Sequence, residues 1–272
     1  MSVLGKMKDK IAARHPKIAG QLIQFVGRAQ SPEQRKLQVR YDGRDWIHTW
    51  EKGTLVADRP YIRPHGATHS NLPLFFKHHR PGKGATVLDV GAGIGTELPA
   101  FSRAVGDNGR VVCIEADPEA FRLLQKAVEV EGLKNVALAN VAVSDSEGEV
   151  VLSQLTPGSQ SNALVTDKQH GLSVPATTLD SLLDSLGVDE VDYVKMNIEG
   201  AEIPALKGFS TGPTRVRNWC ISCHDHQGRP ESMTFDWVEN WLRQNGLTVW
   251  RHEPMGERAV ETYYLFARRK DE

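Results

Sequence analysis

Three glycines follow an apolar run and precede a helical pattern in the segment Leu88-Asp-Val-Gly-Ala-Gly-Ile-Gly95. They are Gly91, Gly93 and Gly95, and Asp89 stands two positions before the first of them. Because glycine has no β-carbon, such a turn lets a ligand approach the backbone and permits unusual turn angles. The spacing is Gly-x-Gly-x-Gly, whereas the dinucleotide fingerprint is Gly-x-Gly-x-x-Gly. The motif therefore favours S-adenosylmethionine over a nicotinamide cofactor, and Asp89 is expected to order the amino-acid end of that cofactor.

A carboxylate ends the next apolar run, where Glu115 follows Arg110-Val-Val-Cys-Ile114. A carboxylate at the end of the second strand can accept hydrogen bonds from both hydroxyls of a ribose, so Glu115 is the principal predicted cofactor contact. A simple capping role for Glu115 at the following helix stays open. The other predicted cofactor contacts follow the second and third strands: Ala116, Asn140, Val141 and Ala142.

Candidate catalytic side chains follow the predicted fourth and fifth strands, where ligands bind in open α/β sheets. Methyl transfer to an alcohol needs a positioned acceptor oxygen and gains from a base that takes the hydroxyl proton. His224 is the predicted base, since a neutral imidazole can accept a proton near pH 7. Asp225 and His226 are alternatives, and Glu199 and Glu202 are placed to contact substrate, cofactor or a divalent ion.

The presence of a metal stays undecided on the sequence. His224 and His226 with Glu199 could form a divalent-metal site. The His-x-His spacing alone is weak support, because it identifies no third ligand.

Three segments in this order resemble the FkbM-type methyltransferases: Val87–Gly95, Thr178-Leu-Asp-Ser-Leu182, and Val191-Asp-Tyr-Val-Lys-Met-Asn-Ile-Glu-Gly-Ala-Glu202. The resemblance covers about residues 85–209. It implies S-adenosylmethionine-dependent O-methylation of a hydroxyl on a sugar, a polyketide or another small metabolite. The sequence departs from the family at two positions, with Gly93 where Asn is usual and Asn197 where Asp is usual.

The second departure affects the expected chemistry. An amide cannot take a proton and binds a cation only as a neutral oxygen donor. Asn197 is therefore predicted to orient the sulfonium or the substrate, and it belongs to both the catalytic and the cofactor-binding candidates.

The elements that must position these residues alternate between apolar runs and helical patterns from residue 85 onward. This alternation predicts an α/β, doubly wound, mostly parallel seven-stranded sheet of Rossmann-like, class I methyltransferase type, with an antiparallel C-terminal strand. Residues 85–272 would form the catalytic domain, with a β insert at about 148–178. Residues 1–84 would form an N-terminal extension: a covering or dimer-forming helix, a hairpin over 36–50, then a loop with one short helix over 51–84.

The composition of the chain limits the classes of molecule that it is expected to bind. The formal net charge is −1, which gives no broad basic field for nucleic acid or anionic lipid. No apolar run is long enough to cross a membrane, and no secretory segment is evident at the N-terminus. We expect a cytoplasmic enzyme with a small hydroxylated substrate, no nucleic-acid or membrane partner, and a homodimer formed through the N-terminal segment. A nicotinamide-dependent oxidoreductase and a non-catalytic cofactor-binding or interaction protein are the alternatives.

Overall fold

A computed structural model describes residues 12, 14–153, 171–252 and 263–270 of the 272-residue chain. The N-terminal part begins with helix α1 (Pro16–Gln30). An antiparallel sheet follows in the order β1 (Gln38–Tyr41), β2 (Trp46–Trp50) and β3 (Gly53–Ala57). Two short helices come next, α2 (Pro64–His69) and α3 (Leu72–Phe75).

The expectation of a loop with one short helix over residues 51–84 is wrong. Strand β3 lies in that segment, all five of its residues are buried, and it pairs with β2 from Trp46 opposite Ala57 to Trp50 opposite Gly53. The prolines of this segment all follow the strand, whose own residues include the β-branched Thr54 and Val56.

The main sheet has seven strands in the order β12-β13-β11-β10-β4-β5-β6. Their bounds are β4 (Thr86–Val90), β5 (Arg110–Ile114), β6 (Val136–Ala139), β10 (Val191–Met196), β11 (Val216–Ser222), β12 (Thr248–Arg251) and β13 (Tyr264–Arg268). The pairs among β6, β5, β4, β10 and β11 are parallel, and β13 runs antiparallel to both β11 and β12. The predicted doubly wound sheet with an antiparallel C-terminal strand is confirmed.

Helices cover both faces of this sheet. Their bounds are α4 (Leu98–Val105), α5 (Pro118–Glu131), α6 (Leu179–Ser185), α7 (Glu202–Lys207), α8 (Gly212–Arg215) and α9 (Phe235–Gln244). Side chains alternate along a strand, so Leu88 and Val90 join the core under α6, α7 and α9, whereas Val87 joins the core under α4 and α5. The site is thereby placed where β4 leads into α4 and where β5 leads into α5.

The start of α5 is fixed by its sequence. Asp117 accepts hydrogen bonds from the backbone N–H groups of Glu119 and Ala120, both at 2.9 Å, and Pro118 occupies the first helical position. These features suit a helix start, because the cap satisfies otherwise unpaired N–H groups and proline has none to lose. The cap fixes the path of the chain directly after Glu115.

The predicted β insert at about 148–178 contains two strands, β8 (Gly148–Ser153) and β9 (Gly171–Thr177). They form a small sheet with β7 (Ala142–Val143), which lies before the predicted insert, in the order β7-β9-β8. Strands β8 and β9 pair antiparallel. The polar stretch expected within the insert falls in residues 154–170, outside the described residues.

The N-terminal sheet packs directly on α5. One apolar cluster joins Trp46, Ile47 and Leu55 of that sheet to Ile94 and Leu123. The apolar core is therefore continuous across residue 84. The predicted domain boundary at that residue stays a prediction. In the described ranges, none of the helices has the length and apolar character that crossing a membrane requires.

Candidate active site

A pocket of about 890 Å³, including its open mouth, lies at the carboxyl ends of β4, β5 and β10. This is the place where strand order reverses, since β4 pairs with β5 on one side and with β10 on the other. Glu199 and seven of the ten predicted cofactor-binding residues line the pocket, namely Gly91, Gly93, Glu115, Ala116, Val141, Ala142 and Asn197.

The glycine turn brings the ends of β4 and β10 together. Gly91 has φ +77°, and a β-carbon there would lie 2.1 Å from the carbonyl oxygen of Asn197. Asn197 in turn donates its backbone N–H to Val90 O at 3.0 Å. No side chain larger than hydrogen fits at Gly91 without separating the two strand ends, which form one wall of the pocket.

Glu115 connects the glycine turn to the start of α5. Its Oε2 accepts from the backbone N–H of Gly93 at 2.7 Å, and its Oε1 accepts from the N–H of Asp117 at 2.8 Å. Burial raises the pKa of this carboxyl despite these two bonds. Each oxygen keeps a further lone pair, so Glu115 can hold the two loops and still accept hydrogen bonds from a ligand.

Three predicted cofactor contacts, Asp89, Gly95 and Asn140, do not line the pocket but support its wall. A β-carbon on Gly95 would meet Leu124 Cδ1 at 2.7 Å, so this glycine allows the turn to pack on α5. The Asn140 amide donates to the carbonyl oxygens of Glu115 and Ala116, at 2.8 and 3.3 Å. These two residues therefore shape the loops that line the pocket, and their direct contact with a cofactor stays a prediction.

Asp89 belongs to a buried charge cluster that the sequence analysis missed. Lys195 Nζ lies 2.8 Å from Asp89 Oδ1 and donates to Gly91 O at 2.7 Å. Glu97, the second carboxylate, accepts a hydrogen bond from Thr96 Oγ1 at 2.6 Å and lines the pocket, as does Lys195. One cation thus faces two carboxylates, and all three side chains are buried.

The protonation of this cluster follows from its charges. Burial raises the pKa of Glu97, Lys195 opposes this rise, and Asp89 adds to it. Burial by itself would lower the pKa of Lys195, but Asp89 and Glu97 outweigh burial and raise it. In the described part of the chain, Asp89 Oδ2 has no hydrogen-bond partner. Of the two carboxylates only Glu97 lines the pocket, so it is the one placed to meet a cationic ligand.

Two signals in the sequence could have revealed the cluster. A lysine within the apolar run Val191–Met196 is unusual, because lysine is rarely buried without a partner. Glu97 directly follows the glycine turn, at the entrance to α4. Asn71 also lines the pocket, but nothing in its local sequence marks it.

His224 lies between two carboxylates beside the pocket and is buried. Its Nδ1 is 3.0 Å from Glu202 Oε1, and its Nε2 is 3.4 Å from Glu199 Oε1. Glu202 also accepts from Gly200 N–H at 3.2 Å and from Thr234 Oγ1 at 2.9 Å. Burial lowers the pKa of His224, but the hydrogen bonds and charges of Glu199 and Glu202 outweigh it and raise the pKa to about 9.

This geometry argues against His224 as the base, and its catalytic role stays a prediction. A histidine with that pKa carries a proton at neutral pH, and each ring nitrogen donates toward a carboxylate. Its side chain also does not line the pocket. His224 instead holds Glu199 in position and supplies a positive charge beside it.

Glu199 has the backbone conformation of a residue under constraint. Its φ is +55°, the only positive φ of a non-glycine residue within the described ranges, and such strain concentrates at functional sites. Gln227 Nε2 donates to its Oε2 at 2.7 Å. Burial would raise the pKa of Glu199, but the bonds to His224 and Gln227 lower it. The pocket therefore presents an ionised carboxylate.

The metal site that the sequence left undecided finds no support in the described residues. They include no group of three or more His, Cys, Asp or Glu side chains arranged to hold a metal ion. The His226 ring lies 5.7 Å from that of His224 and joins neither carboxylate contact described above.

The strand order, the glycine turn and the carboxylate after the second strand together define the Rossmann-like fold of class I methyltransferases. Residues 89–248, more than half of the chain, match the family model described as the methyltransferase FkbM domain. The chain belongs to the FkbM methyltransferase family.

Two solved methyltransferase structures are similar to this chain at low sequence identity. The methyltransferase FkbM of Methylobacillus flagellatus KT is 18% identical, with a TM-score of 0.51 over 75% of this chain and 50% of that one. A SAM-dependent methyltransferase of Aquifex aeolicus is 19% identical, with a TM-score of 0.40 over 74% of this chain and 87% of that one.

One curated relative shares a local segment. The "Probable cobalt-precorrin-6B C(15)-methyltransferase (decarboxylating)" of Sulfolobus acidocaldarius is 42% identical over 55 residues, which is 20% of this chain. The chain spans 29% of the length of that relative and half of the Methylobacillus structure.

Proposed function

We propose that this protein transfers a methyl group from S-adenosylmethionine to a hydroxyl oxygen of a small molecule such as a sugar, a polyketide or a related metabolite. The observation that carries the proposal is the pocket at the strand reversal, which combines the glycine turn and Glu115 with the ionised carboxylate of Glu199. The family resemblance supports a hydroxyl as the acceptor. The pocket volume suits a ligand of nucleoside size or somewhat larger.

The described residues fit the two ends of the cofactor. Glu115 and the backbone at Ala116 suit a ribose, and the apolar side chains of Val141 and Leu152 suit a base. Glu97 suits a cationic amino-acid end, since it lines the pocket while Lys195 pairs with the buried Asp89 behind it. When bound, the cofactor supplies a methyl group made electrophilic by a sulfonium.

Glu199 would hold the acceptor hydroxyl and take its proton. Its carboxylate lines the pocket. His224 contacts its Oε1 and Gln227 donates to its Oε2, and together these contacts fix its orientation. Positioning contributes most to an in-line displacement, and a base within hydrogen-bond reach adds roughly 10²–10⁴-fold. The Asn197 amide can orient the ligand but cannot accept this proton.

Calorimetry with S-adenosylhomocysteine and with NAD tests the choice of cofactor. The proposal expects binding of the former without the latter. Binding of NAD alone would favour an oxidoreductase, and binding of neither would favour an interaction protein.

The acceptor can then be sought by mass spectrometry with a labelled methyl donor and a library of hydroxylated metabolites. Glu199→Gln should retain binding of S-adenosylhomocysteine and lose most transfer to the acceptor found. Undiminished transfer by this variant would remove Glu199 from the reaction.

A further inference from the structure

Helix α1 presents a row of apolar side chains to solvent. Ile18, Leu22 and Phe25 are 53%, 50% and 74% exposed, and their spacing of four and three residues places them on one helix face. They are three of the five large apolar side chains exposed in the described ranges, so the exposure is concentrated on this helix.

The opposite face of α1 is already used for folding. Ala19, Gly20, Ile23 and Gly27 are buried, and a β-carbon on Gly20 would lie 3.2 Å from the carbonyl oxygen of Val39 in β1. The small residues let the helix approach the N-terminal sheet closely. The exposed row is thus left outside the core and is available to a partner.

The residues around this row are basic. Arg14, Lys17 and Arg28 are exposed, and the Arg28 Nε donates to Leu37 O. The sequence holds no acidic residue between Asp9 and Glu33. Since the formal charge of the whole chain is −1, the basic character of α1 is a local feature.

We propose that α1 docks the protein onto an anionic lipid bilayer, with Ile18, Leu22 and Phe25 in the interfacial region and Arg14, Lys17 and Arg28 near lipid phosphates. A helix with an apolar face and a cationic remainder lies in the plane of such a surface, where buried apolar area and charge attraction add. The proposal goes beyond methyl transfer and does not depend on it.

A second copy of the chain fits this face poorly. Symmetric pairing of α1 with itself would bring the cations of both copies together, with no carboxylate on either helix to compensate. Three partly exposed side chains also supply far less than the roughly 800 Å² per partner of a stable interface. Nucleic acid would satisfy the charges, but it offers no apolar medium to Ile18 and Leu22.

Sedimentation of the full chain with vesicles tests the proposal. Binding is expected to vesicles of phosphatidylcholine and phosphatidylglycerol in equal parts, to weaken with added salt, and to be weaker with phosphatidylcholine alone. Phe25→Ser and Leu22→Ser should each reduce the partition coefficient by about tenfold, the effect expected for roughly half-burying such a side chain. Lys17→Glu should also reduce it.

The controls carry the same changes elsewhere. Met233→Ser removes an exposed apolar side chain, and Lys207→Glu reverses an exposed cation on α7. Both should bind vesicles as the parent protein does. Circular dichroism should show unchanged folding in every variant, since the substituted side chains are exposed.

Three outcomes would overturn the proposal. The first is absence of vesicle binding by the parent protein, and the second is equal loss in the α1 variants and the controls. The third is a dimer in ultracentrifugation that Phe25→Ser abolishes while vesicle binding is absent, which would assign the face to a second copy. Binding of S-adenosylhomocysteine should stay the same in all α1 variants, so a failure here is distinct from a failure of the proposed activity.

Discussion

Glu97 shows how the charge on one residue can depend on what occupies a pocket. Its carboxyl shares a buried environment with Asp89 and with the single cation of Lys195. Burial raises the pKa of this carboxyl because desolvation penalises the ionised form, and a positive charge brought close to it would lower that pKa. The cationic end of a ligand would favour its ionisation, so Glu97 should discriminate ligands that have such an end from ligands that lack it.

Glu97→Gln should therefore weaken binding of S-adenosylhomocysteine and leave binding of methylthioadenosine, which has no amino-acid end, nearly unchanged. A hydrogen bond to a charged group contributes about 1.5–3 kcal/mol, so the loss should be roughly tenfold or more. Calorimetry with both ligands measures the difference. As the matched control, Glu115→Gln should weaken both ligands, because Glu115 is placed for the ribose they share. Equal loss of both ligands in Glu97→Gln would contradict this assignment.

His224 gives the protein a dependence on pH that follows from its two carboxylate neighbours. Its pKa in the folded state, about 9, lies above the ordinary value near 6.5. The resulting stabilisation is fully present below about pH 6.5 and is lost as pH rises through about 9. The same protonated ring holds Glu199, so a structural and a functional effect come from one contact.

His224→Gln should remove this pH dependence of stability. In the parent protein the free energy of unfolding should fall by on the order of 2–3 kcal/mol between pH 6.5 and 9, and denaturant titrations at several pH values measure it. His15→Gln, at an exposed histidine before α1, serves as the control and should keep the parent profile. A parallel profile in His224→Gln would show that the ring is not charged in the folded protein.

At the scale of elements, the site depends on how closely two strands end. β4 ends at Val90 and β10 begins only at Val191, yet Gly91 and Asn197 meet at the carboxyl ends of these two strands. The hydrogen bond from Asn197 N–H to Val90 O continues the pairing past the last residue of β10. The pocket wall is therefore a property of the strand pair, and neither strand forms it alone.

Gly91→Ala should separate these ends and abolish measurable binding of S-adenosylhomocysteine. The added methyl would lie 2.1 Å from Asn197 O, and positive φ adds about 1–2 kcal/mol of strain. Gly132→Ala provides the control, because Gly132 has φ +68° but no atom within 4 Å of its added β-carbon. Denaturant unfolding should show only the backbone strain for Gly132→Ala and a larger loss for Gly91→Ala. Comparable losses of unfolding free energy in the two variants would mean that the strand ends shift to accommodate the added methyl group.

The order of strands and helices could be predicted because each element has its own local periodicity, and from residue 85 onward the main sheet follows the predicted alternation. Gly91, Gly93 and Glu115 were recognisable because the turn and the strand end lie close together in sequence. Lys195 was not, since its partners Asp89 and Gly91 are more than a hundred residues away. The raised pKa of His224 could not be predicted for the same reason, because Glu199 and Glu202, which raise it, follow another strand.

At the scale of the whole molecule, the net charge does not show where charged residues are concentrated. The net charge of −1 led to the expectation of no membrane partner. It is a sum over the whole chain, in which acidic residues elsewhere cancel the positive charge around α1. The proposed binding to lipid differs from that expectation because it rests on the solvent exposure of Ile18, Leu22 and Phe25, which composition cannot reveal. The N-terminal part is also more than a cover, since it supplies Asn71 to the pocket and a sheet to the flank of α5.

The contact between the N-terminal sheet and α5 centres on Asp45, whose side chain is 1% exposed. Its two oxygens accept from Arg122 at 2.6 and 2.7 Å, and Lys126 contacts it as well. Asp45→Asn would remove the buried carboxylate that both cations share, although Arg122 keeps Glu119 and Lys126 keeps Asp42 as partners. The loss should therefore be about 1–3 kcal/mol, less than for a buried charge left with no partner. As the apolar core is continuous across this contact, scanning calorimetry should show one unfolding transition moved as a whole to lower temperature.

The exposed pair Lys36–Glu51 is the matched control, with side chains 75% and 66% exposed. Lys36→Ala should leave the transition almost unmoved, because an ion pair in water contributes about 0–1 kcal/mol. Two separate transitions in Asp45→Asn, of which only one moves, would show instead that the N-terminal sheet unfolds independently. The boundary at residue 84 would then mark a true domain, and Asn71 would reach the pocket from a separately folding unit.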